Sequence, residues 1–276
     1  MINGTGNRMT QEIARQARMA GNIALKQAQV STGKRLQRAS DDPVAMARTA
    51  ELKRAQSNDV ARAANINIGV TLAAQADTQL KTMSDLLARA KELTVAGANG
   101  GLSAADRTTM AAEISAMADE IDAIASTTSV TGQALFAPNS NIAIRFDDTT
   151  AFAPVPGRDE IFAPAGMSIS QSMRDAALAI SSGNSGNIGV SLTAINDAVN
   201  HSADMQAKVG LNAARIDRLR ETGAQRAISL SEERSRLEDT DLSSAIAELN
   251  GMTLTLEAAQ AAFARINRRT LMDFLG

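Results

Sequence analysis

Apolar residues recur along most of this chain at alternating spacings of four and three, the repeat of a single helix face. The strictest run is Ala245, Leu249, Met252, Leu256, Ala259, Phe263 and Ile266, with no Pro to interrupt it. So narrow a seam predicts one continuous helix over residues 245–275, and it asks for a partner helix with a matching stripe. A second seam lies near the start, at Met9, Ile13, Ala17, Ala20, Ala24 and Ala28, and predicts a helix over residues 9–30. Helices this thinly apolar are marginal alone, because most helical stability in proteins comes from packing. The two terminal seams are therefore expected to pair with each other and with helices of neighbouring molecules.

Between them the pattern repeats at larger scale. Ser31-Thr32-Gly33-Lys34-Arg35 breaks the first helix, and Ser40-Asp41-Asp42-Pro43 opens the next. Asp42 can cap the free amides of the first turn while Pro43 takes the first helical position, where its missing N–H costs nothing. From Val44 the chain reads as helical for about fifty residues, about 75 Å at 1.5 Å per residue. Its seam is Ile66, Gly69, Ala73, Ala76, Leu80, Met83, Leu87 and Ala90. Residues 96–101 (Ala-Gly-Ala-Asn-Gly-Gly) are a stop, and Ser103-Ala104-Ala105-Asp106 has the form of a capping box. The helix that follows, over residues 102–126, carries Met110, Ile114, Met117, Ile121 and Ile124 and is expected to fold back on its predecessor.

The character then changes. Four of the five Pro and four of the six Phe fall in residues 136–164. Ile142 to Phe146 alternates like a short strand before a turn at Asp147-Asp148, so residues 137–166 read as a small β-hairpin or irregular insertion. Helix resumes over residues 168–180 and, after a Ser/Gly/Asn cluster, over residues 187–237, with Ile188, Leu192, Ile195, Val199, Val209, Ile216 and Leu219 on one face. Asp217–Arg220, Glu232–Arg236 and Arg234–Glu238 are spaced for surface ion pairs. The element order is close to a palindrome. The expected fold is mainly α: an elongated rod of long antiparallel helices, bundle or coiled coil, with one small insertion. Residues 1–38 with 241–276 would form an inner terminal coiled coil, 39–136 with 167–240 a long-helix rod, and 137–166 an outer insertion.

Composition agrees with that picture. There is no Cys, Trp or Tyr, and the apolar fraction is carried by Ala with Leu, Ile, Val and Met. Such residues suit helices packed closely side by side. The net charge of −2 comes from mixed acids and bases, so no global field recruits nucleic acid or an anionic surface. No apolar run approaches the ~18 residues of a membrane span, and the first residues lack the basic and apolar regions of a cleaved secretory signal.

Candidate chemistry is sparse. With His201 the single histidine and no Cys, neither a Cys–His pair nor a multi-histidine metal site can be built. His201 reads as a solvated helix-face residue. Gly33-Lys34 lacks the phosphate-loop frame, since position 28 is Ala and Arg35 stands where Ser or Thr belongs. The acidic groups Glu232-Glu233 and Glu238-Asp239-Asp241 lack a calcium-loop spacing and read as solvated helix face and helix cap. No catalysis, cofactor or metal is expected.

Three stretches resemble the bacterial flagellin-type axial proteins. Ser31-Thr32-Gly33-Lys34-Arg35 with Ala39-Ser40-Asp41-Asp42-Pro43-Val44-Ala45 is similar to the family's N-terminal signature. Gly132-Gln133-Ala134-Leu135-Phe136 resembles the segment before its variable outer region. Leu237-Glu238-Asp239-Thr240-Asp241, with the last helix and its Leu271-Met272-Asp273-Phe274-Leu275 ending, is similar to the family's C-terminus. The Pro43-containing form is more similar to the members at the hook–filament junction than to filament-forming ones, which usually lack that Pro.

The resemblance implies export without a cleaved signal peptide, helical stacking around a central pore, and an extracellular place in the flagellum. It implies partners among other copies of the chain, hook-associated proteins, flagellin, the export apparatus and an export chaperone. Subunit packing would fall to Met9, Ile13, Ala17, Ala20, Ala24, Leu249, Met252, Leu256, Phe263, Ile266, Leu271, Phe274 and Leu275, and the cap and turn to Ser40, Asp41, Asp42 and Pro43. A filament subunit remains the alternative to a junction subunit. A chemoreceptor-type signalling hairpin, also Ala-rich and helical, would need an uninterrupted tip where this chain has its Pro- and Phe-bearing insertion.

Overall fold

The computed structural model describes residues 2–138 and 142–275, with side chains described for 9–138 and 142–265. Seven helices and one two-stranded sheet follow in order among them. α1 is Ile2–Thr32, α2 Pro43–Gly97, α3 Ala104–Ala125, β1 Ile144–Arg145, β2 Ala151–Phe152, α4 Arg158–Phe162, α5 Ile169–Ser182, α6 Ser185–Glu238 and α7 Leu242–Leu275. The fold is mainly α, with long antiparallel helices and a small antiparallel sheet. By contacts it divides into two compact units: residues 1–57 with 227–276, and residues 58–226.

In the unit of residues 58–226, the predicted seam of α2 is its buried face: Ala76, Leu80, Met83, Leu87 and Ala90 have no exposed surface. Ile114 and Ile121 of α3, Met173 and Ile180 of α5, and Ile195 and Val209 of α6 complete one continuous apolar core. Repeating buried side chains of this size and spacing are what hold helices this long in place, since each buried Leu or Ile contributes about 1.5–3 kcal/mol.

α3 opens on the predicted capping box. The Asp106 amide donates to Ser103 Oγ at 3.2 Å, and Asp106 Oδ2 accepts from the Ser103 amide at 3.3 Å. α3 folds back on its predecessor as expected and packs still closer on α5. Arg89 of α2 pairs with Glu113 at 2.9 Å, but the helix in closest register with α3 is α5. Asp122 takes bonds from Ser170 at 2.7 Å and Arg174 at 2.6 Å, and Arg174 also reaches Asp119, so the two helices run antiparallel. The reason is side-chain size: Ala111, Ala118 and Ala125 on α3 and Ala176 and Ala177 on α5 are all buried and permit close approach.

The insertion is a hairpin in which Ile144 pairs with Phe152 and Arg145 with Ala151. Asp147 closes its turn by accepting at Oδ1 from the amides of Thr149 (2.7 Å) and Thr150 (2.6 Å) and from the Thr149 hydroxyl (3.0 Å). These donors, the Thr149 amide foremost, lower the Asp147 pKa to about 2. Phe146 is the hairpin's anchor, buried against Gly69 and Ile216. A Cβ at Gly69 would stand 2.7 Å from the Phe146 ring, so any larger residue at this seam position of α2 would force the buried ring to shift. Phe152 stacks on Phe146 at 4.6 Å, and the Arg215 guanidinium lies 4.3 Å from the Phe152 ring centroid.

Two features depart from the sequence reading. The short helix α4 was not foreseen; it follows Pro156-Gly157 and buries Ile161 and Phe162, with Phe162 edge-on to Phe136 at 5.1 Å. His201 is not a solvated residue: it is half-buried, with its Nε2 2.8 Å from the Glu160 carbonyl at the middle of α4. Lys208, two turns further along the same face of α6, pairs with the Glu160 carboxylate. His201 and Lys208 of the polar run on α6 thus both reach Glu160 of α4. Among the described residues, no helix is long and apolar enough to cross a membrane.

Candidate assembly surface on the paired terminal helices

In the unit of residues 1–57 and 227–276, α1 and α7 pack together as an antiparallel pair. Lys26 meets Glu248 at 2.6 Å, and nearer the chain connections the Thr240 amide donates to the Gly33 carbonyl at 2.9 Å. The α7 side of the contact is the seam read from the sequence: Ala245 is buried and Leu249, Met252, Leu256, Ala259 and Phe263 are half-buried. The α1 side is not. Its half-buried and buried positions are Glu12, Gln16, Met19, Ile23, Lys26, Ala28, Gln29 and Val30, so of the predicted seam only Ala28 is covered. That face is displaced by one residue from Met9, Ile13, Ala17, Ala20 and Ala24, a rotation of about 100° at 3.6 residues per turn.

All five of those residues are exposed, Met9 at 45% and Ile13 at 53%. The sequence missed the true contact face because it mixes Met19, Ile23 and Val30 with residues whose aliphatic stems cover apolar surface while their heads reach water. A search for apolar letters alone passes over Glu12, Gln16 and Lys26. One face of α1 is taken by α7. Away from it Met9 and Ile13, one turn apart, are exposed together and Leu25 separately; on α7 Leu242 and Ile246, also one turn apart, are exposed together and Leu254 separately. Exposed apolar pairs on both terminal helices are candidate contacts for a partner. Ile266, Leu271, Phe274 and Leu275 lie outside the residues whose side chains are described.

The turn that joins α1 to α2 is built as a docking point for the end of α6. Gly33, at φ +69°, reverses the chain after α1. Lys34 then forms a bridge with Asp239, and the Arg35 amide donates to the Glu238 carbonyl at 2.6 Å. Arg35 Nη2 adds a bond to the Leu237 carbonyl at 3.0 Å, and Leu36 is buried. Asp41 Oδ2 accepts from the amides of Arg38 at 2.8 Å and Gln37 at 3.1 Å, which hold its carboxyl below the usual range. Asp42 Oδ1 accepts from the Ala45 amide at 2.9 Å, the predicted cap, and Pro43 is the first residue of α2; Ser40 is exposed. On the other strand of this junction Asp241 caps α7, accepting from Ser243 and Ser244 at 3.0 and 3.3 Å.

Glu238 corrects the reading of the acidic group as solvated. Its side chain is only 6% exposed, and it accepts from Lys34 Nζ at 3.0 Å and pairs with Lys53 at 2.9 Å, with Arg234 at 3.8 Å. Burial pushes this carboxyl up, but the two ammonium groups together outweigh it and leave it below its ordinary value. One carboxylate thus ties the α1–α2 turn, the first turns of α2 and the end of α6. Nothing in its local sequence singles it out; the signal was that both stretches it joins carried the resemblance motifs.

Comparison with known proteins bears directly on this surface. The profile of the bacterial flagellin N-terminal helical region matches residues 7–141, and that of the bacterial flagellin C-terminal helical region matches residues 192–275. The flagellar hook-associated protein 3 of Salmonella typhimurium is 29% identical over 122 residues, 44% of this chain and 38% of that protein. The flagellin of Listeria monocytogenes is 30% identical over 122 residues, 44% of this chain and 41% of its own. The matched stretch thus spans about two fifths of each of these relatives. Among solved structures, a flagellar hook-associated protein from Vibrio parahaemolyticus superposes with a TM-score of 0.66 at 19% identity, covering 72% of this chain and all of that one. FlgL of Xanthomonas campestris gives 0.59 at 15% identity, over 67% of this chain and 99% of its own.

Proposed function

Because the chain belongs to the bacterial flagellin family, we propose that it is a structural subunit of the flagellum, placed at the junction between hook and filament and without catalysis. The observation that carries this reading is the exposed apolar surface on both terminal helices, with Met9 and Ile13 one turn apart on α1 and Leu242 and Ile246 one turn apart on α7. A helix pair satisfied within one molecule has no need of these side chains. Copies stacked around an axis bury them against one another. Residues 1–38 and 241–276 then form the inner wall, residues 39–136 and 167–240 the layer outside it, and residues 137–166 the outermost part. The terminal pair gains its full order on assembly, by coupled folding and binding.

Pro43 favours the junction over the filament, as does the likeness in fold to hook-associated proteins. Hook-associated proteins and flagellin become the axial neighbours, and delivery runs through the flagellar export apparatus with a chaperone. The filament subunit is the second reading, favoured by the match to Listeria flagellin. Electron microscopy of the purified, concentrated protein with filament seeds separates the two. A junction subunit gives rings or short stacks at most, and long filaments of this chain alone would refute the junction assignment.

A further inference from the structure

Between α2 and α3 the chain reverses through Ala98, Asn99, Gly100 and Gly101, all exposed. Asn99 is followed by a residue without a side chain, so its carboxamide carbon is open to the next backbone nitrogen. The Asn99 Oδ1 accepts a hydrogen bond from the Gly101 amide at 3.3 Å, which folds the side chain back over the Gly100 peptide. No group among the described residues accepts from the Gly100 N–H. We propose that Asn99–Gly100 is a site of spontaneous covalent self-modification, a deamidation through a succinimide that needs only water.

The chemistry balances within the turn. The Gly100 nitrogen loses its proton to solvent and attacks Asn99 Cγ. The Cγ–Nδ2 bond breaks and the side-chain nitrogen departs as ammonia with the proton it gains. Water then opens the five-membered imide at either carbonyl, leaving an aspartyl or an isoaspartyl residue at position 99. Charge develops on Asn99 Oδ1 as the nitrogen adds, and the Gly101 N–H already points at that oxygen, as a backbone donor does in an oxyanion hole. The reacting groups are held by a turn rather than by helix, so the approach requires no unfolding. Asn250–Gly251 has the same letters but lies inside α7, where the Gly251 amide is committed to the helical ladder.

The consequence is local and electrostatic. A carboxylate at position 99 stands two residues after the end of α2, the disfavoured sign for a helix C-terminus, and five before the start of α3, the favoured sign for its N-terminus. The isoaspartyl product instead lengthens the backbone by one carbon and strains the bond from the Leu102 amide to the Asn99 carbonyl, now 3.3 Å.

The test incubates the folded protein at mildly alkaline pH and follows residues 92–107, the tryptic peptide ending at Arg107, by mass spectrometry. The same peptide, cleaved first and incubated alone, supplies the unstructured rate. The expected result is the mass gain of amide-to-acid exchange at position 99 in the folded protein, at a rate within about tenfold of the free peptide. Asn99→Gln should abolish it. Gly100→Ala should slow it by about tenfold or more; a Cβ there meets nothing within 4 Å, so this variant keeps the fold. A folded protein that stays unmodified while the free peptide converts would overturn the proposal, as would equal rates for wild type and Gly100→Ala. None of these outcomes depends on the flagellar reading.

Discussion

Gly69 shows what one position can and cannot disclose. The seam Ile66, Gly69, Ala73, Ala76 placed it on the buried face, and so it is. Why glycine stands there was hidden, because the reason is Phe146, a ring 77 positions away that fills the space a Cβ would take. Gly69→Ala should destabilise the unit of residues 58–226 by about 1–3 kcal/mol, as overpacking does, and urea unfolding of the purified protein measures it. Asp147 is the second residue with a consequence of its own. Its folded pKa of about 2 lies below the ordinary 3.8, so its contribution to the hairpin is fully present above about pH 4. It is lost as pH falls through about 2. Amide exchange at Thr149 and Thr150 should stay slow at pH 5 and quicken in that acid range; exchange indifferent to pH, once intrinsic rates are divided out, would show that the carboxylate does not close the turn.

At the scale of elements, helix existence and most buried faces were legible, because long helices repeat their pattern often enough to be read. α2 and α6 run 55 and 54 residues with their predicted seams inward, and the Ser103–Asp106 cap stands where its letters placed it. What escaped notice was short or polar. α4 has too few residues to show a period, and the α1 face that meets α7 is built partly from Glu12, Gln16 and Lys26. The clamp at Glu238 belongs to the same class, since its partners Lys34 and Lys53 come from two other elements. Glu238→Gln should cost about 1–2 kcal/mol, less than the 3–5 typical of a fully buried pair, because both lysines are about half exposed. Amides of Arg35 and Thr240 should then exchange faster while those of α3 keep their protection. Unchanged exchange at Arg35 and Thr240 would mean that the backbone bridge holds without the carboxylate.

For the whole molecule, the division between compact units falls within α2 and α6, between Ser57 and Asn58 and between Arg226 and Ala227, where neither flanking residue is Gly or Pro. A division by contacts leaves no trace in turn chemistry, which explains why residue patterns could not locate it. Assembly is a property of this scale too. Ile13→Ser combined with Leu254→Ser removes exposed apolar surface on both terminal helices and should leave the melting of the isolated protein nearly unchanged, within about 0.5 kcal/mol for surface sites. Association with flagellar neighbours, followed by sedimentation, should fall sharply. Undiminished association of the double variant would place the assembly surface elsewhere.

The bridge between Lys34 and Glu238 joins residues 204 positions apart. The pair Lys26–Glu248 between α1 and α7 spans 222 positions (248 − 26), so this pairing is strongly non-local, and closing so long a loop carries an entropic cost that must be met before the contact yields anything. No early portion of the chain can form that pair, whichever end appears first. A chain delivered progressively keeps its leading terminal segment unpaired until the last residues arrive, so the timing of closure is set by delivery of the final helix.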